Sequence, residues 1–239
     1  MLYNEKKHMF WLYKKVGEFL KDAVYAANDG IITTFAVVAG VVGASLDPVI
    51  ILVLGFANLF ADGISMASGS YLGTKSEEDQ CTQERGRNLK VLRENRELYK
   101  ERVSKFLRNK GYGEIKVTEL SQLILENEQF ALDFMLHEDR GLCQQVENRA
   151  FKGAAVTFVS FLIAGLVPLV PYIFFSNGAN TFIYAVLFTG VALFVVGAAR
   201  SAFIEKSWIV AGVEMFSVGG VAAAIAYGIG YMVSVIVVR

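Results

Sequence analysis

The amino-acid sequence predicts an all-α integral membrane protein with five transmembrane helices and a cytoplasmic helical insert domain between helices two and three. Hydrophobic residues make up 54% of the 239 residues and charged residues 19%, whereas an ordinary soluble domain is about 25% charged. Five windows of membrane length carry almost no charge. Most charges lie between the second and third windows. Basic and acidic residues are equal at 23 each, so net charge gives no argument for nucleic-acid binding.

The N-terminal part is predicted to hold an interfacial segment and two spans. Residues 1–22 interleave aromatic residues with lysines, which is typical of a helix lying on a membrane surface. Residues 23–74 form transmembrane helices 1 and 2, and an Asp-Pro pair makes the turn between them. The two apolar runs cover about 23–46 and 48–71. Gly40 and Gly43 suit a close contact with another helix.

Residues 75–150 are predicted to form the cytoplasmic helical domain, because they hold most of the charges and show helical rather than transmembrane patterning. We expect three helices, at about 78–109, from about 118, and at about 128–137. Gly111 and Gly113 end the first of them. A core of this size is marginal alone, so we expect it to lean on the membrane part or on a second copy.

Residues 151–239 are predicted to form transmembrane helices 3–5. The apolar runs cover about 150–175, 181–199 and 208–237. Pro168 and Pro171 either kink the first of these helices or mark its outer end. Cytoplasmic loops carry the excess of Lys and Arg, and every basic residue except Arg239 falls on one side of a five-span layout. The N-terminus is therefore predicted to be cytoplasmic and the C-terminus outside or lumenal.

A few polar side chains interrupt the first two apolar runs. Asp29 lies in the first run, and Asn58, Asp62 and Met66 follow at four-residue intervals in the second. The last three therefore share one helix face. A carboxylate at membrane depth is costly and indicates a functional site, and thioether sulfur favours later transition metals over Ca²⁺ and Mg²⁺. The pattern predicts a path for a divalent transition metal, with Asp29 as metal ligand and proton carrier.

Each of these residues also has a purely structural explanation. Asp29 could cap a helix or bond to a neighbouring polar side chain, and Met66 could be core packing. Asp62 could pair with a basic residue or lie near a crossing of small residues. Glu214, in the last span, either faces the path or lies at the membrane edge and pairs with basic residues of the preceding loop. The edge interpretation is slightly favoured.

The insert offers a second candidate metal site, on the cytoplasmic side. Its candidate ligands are acids and one methionine: Glu84, Glu94, Glu97, Glu101, Met135, Glu138 and Asp139. Glu94, Glu97 and Glu101 share a face if one helix carries them, as in helical carboxylate bundles. The basic residues interleaved with them favour a solvated, salt-bridged helix instead.

The sequence does not support an enzyme. It has no nucleophile elbow, P-loop or dinucleotide fingerprint, and we expect no prosthetic group. Cys81 and Cys143 are expected to be reduced cytoplasmic thiols.

Three motifs carry a resemblance to a known family: DGIITTFAVVAG at 29–40, ANLFADGISMASGSYLGTKSE at 57–77 and FLIAGLVPLVPY at 161–172. With the five-span layout, they resemble the vacuolar iron transporter family of Fe²⁺/Mn²⁺ transporters. The resemblance implies a homodimer with a path near the subunit interface that exports Fe²⁺ or Mn²⁺ from the cytosol in exchange for H⁺. The family's membrane aspartate falls on Asp29 and its membrane methionine on Met66. The implied location is the cell membrane in a prokaryote and a vacuolar-type membrane in a eukaryote.

Two points stay open beside the resemblance. An oxygen–sulfur site also accommodates Zn²⁺ and Co²⁺. The insert departs from the plant-type members of the family, which carry a dense glutamate array and paired methionines; here the first insert helix reads RGRNLKVLRENRELYKER, and the methionine pair is reduced to Met135-Leu136. The alternative function is a non-transporting membrane metal-binding or interaction protein that uses the insert as its working part.

Overall fold

The structure is a computed structural model of the chain. It describes the backbone of residues 2–140, 148–175, 180–201 and 206–237, and the side chains within these ranges except those of residues 2–18 and 137–140. Every regular element in these ranges is a helix. Five of the helical segments are long and apolar enough to cross a membrane: Phe19–Gly43, Pro48–Glu94, Arg149–Phe174, Thr181–Arg200 and Trp208–Val237. The predicted all-α membrane fold is confirmed.

The chain divides into two compact units. The first unit comprises Met1–Tyr71 and Ala150–Arg239, and the second comprises Leu72–Arg149. The helices of the first unit are α1 (Leu2–Gly43), the first part of α2 (Pro48–Glu94), α6 (Arg149–Gly165), α7 (Val170–Phe174), α8 (Thr181–Arg200) and α9 (Trp208–Val237).

Glycines allow α1 and α9 to approach closely within the first unit. A methyl group added at Gly43 would overlap the carbonyl oxygen of Tyr227, and one added at Gly230 would overlap that of Gly40. Without side chains at these points the two backbones come into direct contact, as small residues permit between membrane helices. The predicted role of Gly40 and Gly43 in helix contact is borne out, and the partner is the last span.

The third span is segmented rather than continuous. Helix α6 ends at Gly165, a 3₁₀ turn covers Val167–Leu169, and α7 follows. Pro168 and Pro171 lie at the starts of the two later pieces, where a missing N–H does least damage. The prolines therefore break the span near its C-terminal end.

The second unit contains the end of α2 and three further helices, α3 (Arg96–Asn109), α4 (Glu114–Glu126) and α5 (Glu128–Arg140). They enclose a core whose largest fully buried side chain is Tyr99. Tyr99 also donates a hydrogen bond from its hydroxyl to the carbonyl of Ala131, 3.2 Å away, which links α3 to α5.

Two expectations about the insert are wrong. The predicted helix at 78–109 is two elements, because α2 runs unbroken to Glu94 and Asn95 then caps α3. The Asn95 side chain accepts a hydrogen bond from the backbone N–H of Leu98 at 3.0 Å, which starts a new helix. The expectation of two reduced thiols is wrong for Cys81, which is disulfide-bonded; Cys143 lies outside the described residues. The spacing of cysteines along the chain did not reveal this bond.

Candidate metal site between the first two helices

Asp29 lies half-buried on α1. The hydroxyl of Thr33 donates to the backbone carbonyl of Asp29 at 2.9 Å, so this bond does not engage the carboxylate. Within the described residues, the carboxylate of Asp29 has no hydrogen-bond or ion-pair partner. Its strongest charged neighbour is Asp62 on α2. The two carboxylates therefore lie near each other across the first two helices. Neither a cap nor a bond to a neighbouring polar side chain engages the Asp29 carboxylate in the described residues.

The polar residues of α2 share one face, as their spacing predicted. Asn58, Asp62 and Met66 are all half-buried. The side-chain amide of Asn58 donates to Oδ2 of Asp62 at 2.7 Å. This bond fixes the orientation of the Asp62 carboxylate by an i, i+4 contact. The alternative explanation of Asp62, pairing with a basic residue, is not observed among the described side chains.

Met66 has a packing role. It contacts the small cluster formed by Ala26, Leu59 and Phe161, so ordinary core packing accounts for part of its surface. Ala26 lies one turn before Asp29 on α1, which places the thioether beside the helix face that carries the carboxylate. Packing and proximity to Asp29 are thus both present.

The contacts between α1 and α2 follow one antiparallel register. Asp29 lies near Asp62, and Ala26 and Met66 share a cluster. Asp22 and Ser70 meet at the same point on α6, where a methyl group at Gly153 would lie 3.6 Å from Asp22 Oδ2 and 3.7 Å from Ser70 Oγ. As the position on α1 moves back by one or two turns, the partner on α2 moves forward by as much. A row of polar side chains therefore follows the boundary between the two helices.

We give the name α1–α2 groove to this row of side chains, which consists of Asp22, Asp29, Asn58, Asp62, Met66 and Ser70. From Asn58 to Ser70 it extends about 18 Å, at about 1.5 Å per helical residue. This is more than half of a hydrocarbon core about 30 Å thick. The hydroxyl of Thr157 on α6 lies 3.5 Å from that of Ser70 and adds a further oxygen at this end.

Asp22 and Ser70 are the groove residues that the sequence reasoning missed. Asp22 lies seven residues before Asp29, and Ser70 lies four residues after Met66. Both continue a helix face that had already been identified. Both would have been identified by following the polar face of each helix for one or two further turns.

Helix α6 closes one side of the groove. A methyl group at Gly30 would lie 2.5 Å from the carbonyl oxygen of Phe161. One at Gly165 would lie 2.9 Å from the carbonyl oxygen of Gly30, and it would also overlap Leu59 of α2. The absence of side chains at these two positions lets three helices meet directly behind Asp29.

Glu214 lies outside the groove. Its carboxylate is 3.2 Å from Nζ of Lys206 and 3.7 Å from a guanidinium nitrogen of Arg200. Arg200 is the last residue of α8 and Lys206 lies in the loop before α9, which is the pairing that the membrane-edge interpretation expected. The Glu214 carboxylate is half-exposed, and these two basic side chains balance its charge.

The insert acids whose side chains the structure describes do not assemble into a metal cluster. Glu94 ends α2 and lies 3.8 Å from Lys90, whereas Glu97 and Glu101 belong to α3. The expectation that one helix face carries all three is therefore wrong, because Asn95 interrupts the helix. In the part of the chain that the structure describes, no three His, Cys, Asp or Glu side chains are grouped closely enough to hold a metal ion.

The other insert candidates divide into three cases. Met135 is buried in the insert core, with 4% of its surface exposed. Glu84 accepts a hydrogen bond from Asn88 at its backbone carbonyl. Glu138 and Asp139 lie on α5, but their side chains are outside the described residues.

Comparison with known proteins identifies relatives over nearly the whole chain. The family model described as the VIT family matches residues 20–231. The chain is 31% identical over 212 residues to vacuolar iron transporter 1 of Oryza sativa subsp. japonica, covering 89% of this chain and 84% of the relative. It is 31% identical over 225 residues to the vacuolar iron transporter of Plasmodium berghei, covering 90% and 82%. It is 30% identical over 232 residues to protein CCC1 of Saccharomyces cerevisiae, covering 94% and 72%.

Proposed function

The chain belongs to the VIT family, and from this premise we propose that it is a proton-coupled transporter that exports a divalent transition metal, Fe²⁺ or Mn²⁺, from the cytosol. Members of this family are membrane transporters and not enzymes. Relatives named as vacuolar iron transporters support iron as cargo. Mn²⁺ is the second candidate, and Zn²⁺ and Co²⁺ are compatible with the same ligand types.

The observation that carries the proposal is the pair of carboxylates across the α1–α2 groove. Asp29 and Asp62 repel each other, and a divalent cation between them turns that repulsion into attraction. Asn58 holds Asp62 from one side, and Met66 adds a soft sulfur donor one turn further along. Oxygen and sulfur together favour a transition metal over Ca²⁺ or Mg²⁺.

The same carboxylates provide the proton coupling. When metal leaves, the two acids are again close together, and protonation of one of them relieves the repulsion. A proton and a metal ion therefore compete for the groove, with Asp29 as the carrier of both. This competition is the minimum chemistry of an antiporter.

The proposed direction follows from the topology. The distribution of Lys and Arg in the sequence favours a cytoplasmic N-terminus and an outer or lumenal C-terminus. Asp22 and Ser70 then lie at the cytoplasmic end of the groove, where they form an entrance of hard oxygen ligands. We propose that metal enters there and moves outward past Met66 and Asp29.

We also propose that the protein acts as a homodimer, with the groove near the subunit interface. The family resemblance supports this assembly. In that assembly the insert is a dimerisation or gating element, since its described acids are not grouped for metal binding.

Metal uptake into proteoliposomes under a pH gradient tests this function. We expect Asp29→Asn and Asp62→Asn each to lower Fe²⁺ and Mn²⁺ transport by about tenfold or more, which corresponds to about 1.4 kcal/mol of lost binding. Asp47→Asn is the matched control, because Asp47 lies in the exposed turn, where its carboxylate accepts a bond from the N–H of Val49. Transport at the wild-type rate in both groove variants would exclude the proposed path. Transport that is independent of the pH gradient would exclude proton coupling but would leave the proposed metal path intact.

A further inference from the structure

We infer that a crevice between α1, α8 and α9 binds one hydrocarbon chain of a membrane phospholipid. The crevice has a volume of about 440 Å³. This lies within the range of about 300–1,000 Å³ that is typical of small-molecule sites. It lies among three helices that are apolar and long enough to span the membrane.

Stacked aromatic rings form one wall of the crevice. The rings of Phe35 and Phe182 lie 6.3 Å apart with an interplanar angle of 9°. Those of Phe182 and Tyr227 are also 6.3 Å apart, at 28°. The three rings come from α1, α8 and α9, so this wall joins all three helices and presents an apolar surface to the space beside it.

Gly220 leaves part of the space open, because it lines the crevice and a methyl group added there would have no neighbour within 4 Å. Gly190 and Gly219 instead allow the lining to pack closely, since a methyl group at Gly190 would lie 2.9 Å from the ring of Phe216 and one at Gly219 would overlap a leucine side chain of α8. Phe216 is 52% exposed and Val186 43% exposed at the same site, which leaves the crevice open on its outer side. A flexible chain can therefore enter laterally from the surrounding lipid.

The chemistry of the lining selects a hydrocarbon over water. No charged side chain of the described residues lines the crevice. Its side chains carry two polar atoms, the hydroxyls of Thr189 and Tyr227, whereas each bound water needs two to four polar partners. A volume of this size left empty would forfeit the dispersion contacts of its lining atoms. At membrane depth the acyl chain is the abundant occupant that matches such a surface.

Photocrosslinking tests this site in the full-length protein reconstituted into phosphatidylcholine nanodiscs. The probe is a phosphatidylcholine that carries a diazirine near the end of one acyl chain, and adducts are mapped by peptide mass spectrometry. We expect adducts in wild type on crevice residues of α8 and α9. Gly220→Phe fills the crevice and should lower these adducts by roughly tenfold, because the new ring takes the space of the chain.

Gly228→Phe is the matched control. Gly228 lies on the same helix, a methyl group there also has no neighbour within 4 Å, and it does not line the crevice. We expect it to leave the crevice adducts unchanged. Thr189→Val should also leave them unchanged, since a hydrocarbon makes no hydrogen bond to the hydroxyl.

Three results would overturn the inference. Wild type could give no adduct on the crevice residues, or Gly220→Phe could retain the wild-type level. A severalfold loss in Thr189→Val would show that the occupant carries a hydrogen-bonding group and is not a plain hydrocarbon chain. Elution of each variant as a single species establishes that it is folded before its adducts are compared.

Discussion

Met66 packs in the core and also lies in the proposed path of the metal. Its body packs against Ala26, Leu59 and Phe161, while its sulfur lies on the helix face that also carries Asp62. Replacement by alanine removes both packing and sulfur, so its effect cannot distinguish between the roles. Leucine keeps most of the volume and removes only the sulfur, and hydrophobic swaps of this type cost under about 1.5 kcal/mol.

We therefore predict that Met66→Leu changes metal preference more than stability. The ratio of Co²⁺ to Mn²⁺ uptake should fall severalfold, because sulfur favours the later metal. Competition between the two ions in proteoliposomes measures this ratio. Met66→Ala serves as the comparison and should unfold at lower temperature, since a core methionine truncated to alanine costs about 2–5 kcal/mol. An unchanged ratio in the leucine variant would mean that Met66 only packs.

Spacing along the sequence was sufficient to predict which residues of α2 share a face. It was not sufficient to predict which residues of α1 lie near them. Asn58, Asp62 and Met66 could be predicted because one helix sets their relative positions. The proximity of Asp29 to Asp62, and of Asp22 to Ser70, depends on the register between two helices. Both helices meet α6 at glycines, including Gly30, Gly153 and Gly165. Periodicity along one helix does not encode how three helices fit together.

At the scale of elements, the crossing of α1 and α6 holds the groove in place. Gly30 is the point of closest approach, since a methyl group there would lie 2.5 Å from a backbone oxygen. A backbone atom cannot rotate away as a side chain can. The two helices must therefore separate if Gly30 acquires a side chain.

We predict that Gly30→Ala destabilises the protein by about 1–3 kcal/mol, the usual cost of overpacking a tight contact. Thermal unfolding in detergent micelles measures the change. Gly69→Ala is the matched control on α2, because a methyl group there has no neighbour within 4 Å. The control should be neutral or more stable by up to about 1 kcal/mol, given the higher helix propensity of alanine. Equal melting temperatures for the two variants would contradict the close crossing.

The boundary between α2 and α3 shows where local sequence signals outweigh charge patterning. The increase in charge after residue 75 suggested that a new helix begins near there, but α2 continues to Glu94. The actual boundary is Asn95, an N-cap with Glu97 in the first turn of the next helix. This is a recognised start signal. It was hidden by a leucine pattern that continues on both sides of Asn95.

We predict that Asn95→Ala weakens the start of α3 by about 1 kcal/mol, the typical value of a lost N-cap. Hydrogen exchange of the full-length protein should show amides 96–98 exchanging about fivefold faster. Asn88→Ala is the control, because Asn88 lies inside α2 and bonds to the carbonyl of Glu84 rather than to a free helix end. If amides 96–98 of the Asn95 variant were as well protected as in wild type, the Asn95 cap would not stabilise the start of α3.

At the scale of the whole molecule, hydropathy was sufficient to predict five spans. Long apolar windows can be recognised from the sequence alone. Lipid offers no hydrogen-bond partner to the backbone, so a spanning segment satisfies its backbone groups within its own helix. The sequence also singled out Gly40 and Gly43 as contact points. It could not name α9 as the partner of α1, since that choice depends on how Gly230 and Tyr227 fit against them.

We predict opposite locations for the two termini. An epitope tag at the N-terminus should be reachable only from the cytoplasmic side, and one at the C-terminus only from the other side. We expect this because cytoplasmic segments carry the excess of Lys and Arg. The N-terminal segment and the loop before α9 are rich in these residues. Antibody labelling of intact and permeabilised cells measures this. Termini on the same side would contradict the five-span topology and, with it, the proposed direction of export.

We propose that metal passes between α1 and α2, where Asp29 lies near Asp62. The most direct measurement is an experimental structure of protein soaked in Mn²⁺ or Fe²⁺, with anomalous scattering to locate the ion. We predict an anomalous peak in the α1–α2 groove, within about 2.0–2.5 Å of carboxylate oxygens of Asp29 and Asp62, the distance range of metal–oxygen bonds. A transport-competent preparation with no ion in the groove, or with ions only on the insert, would contradict the claim.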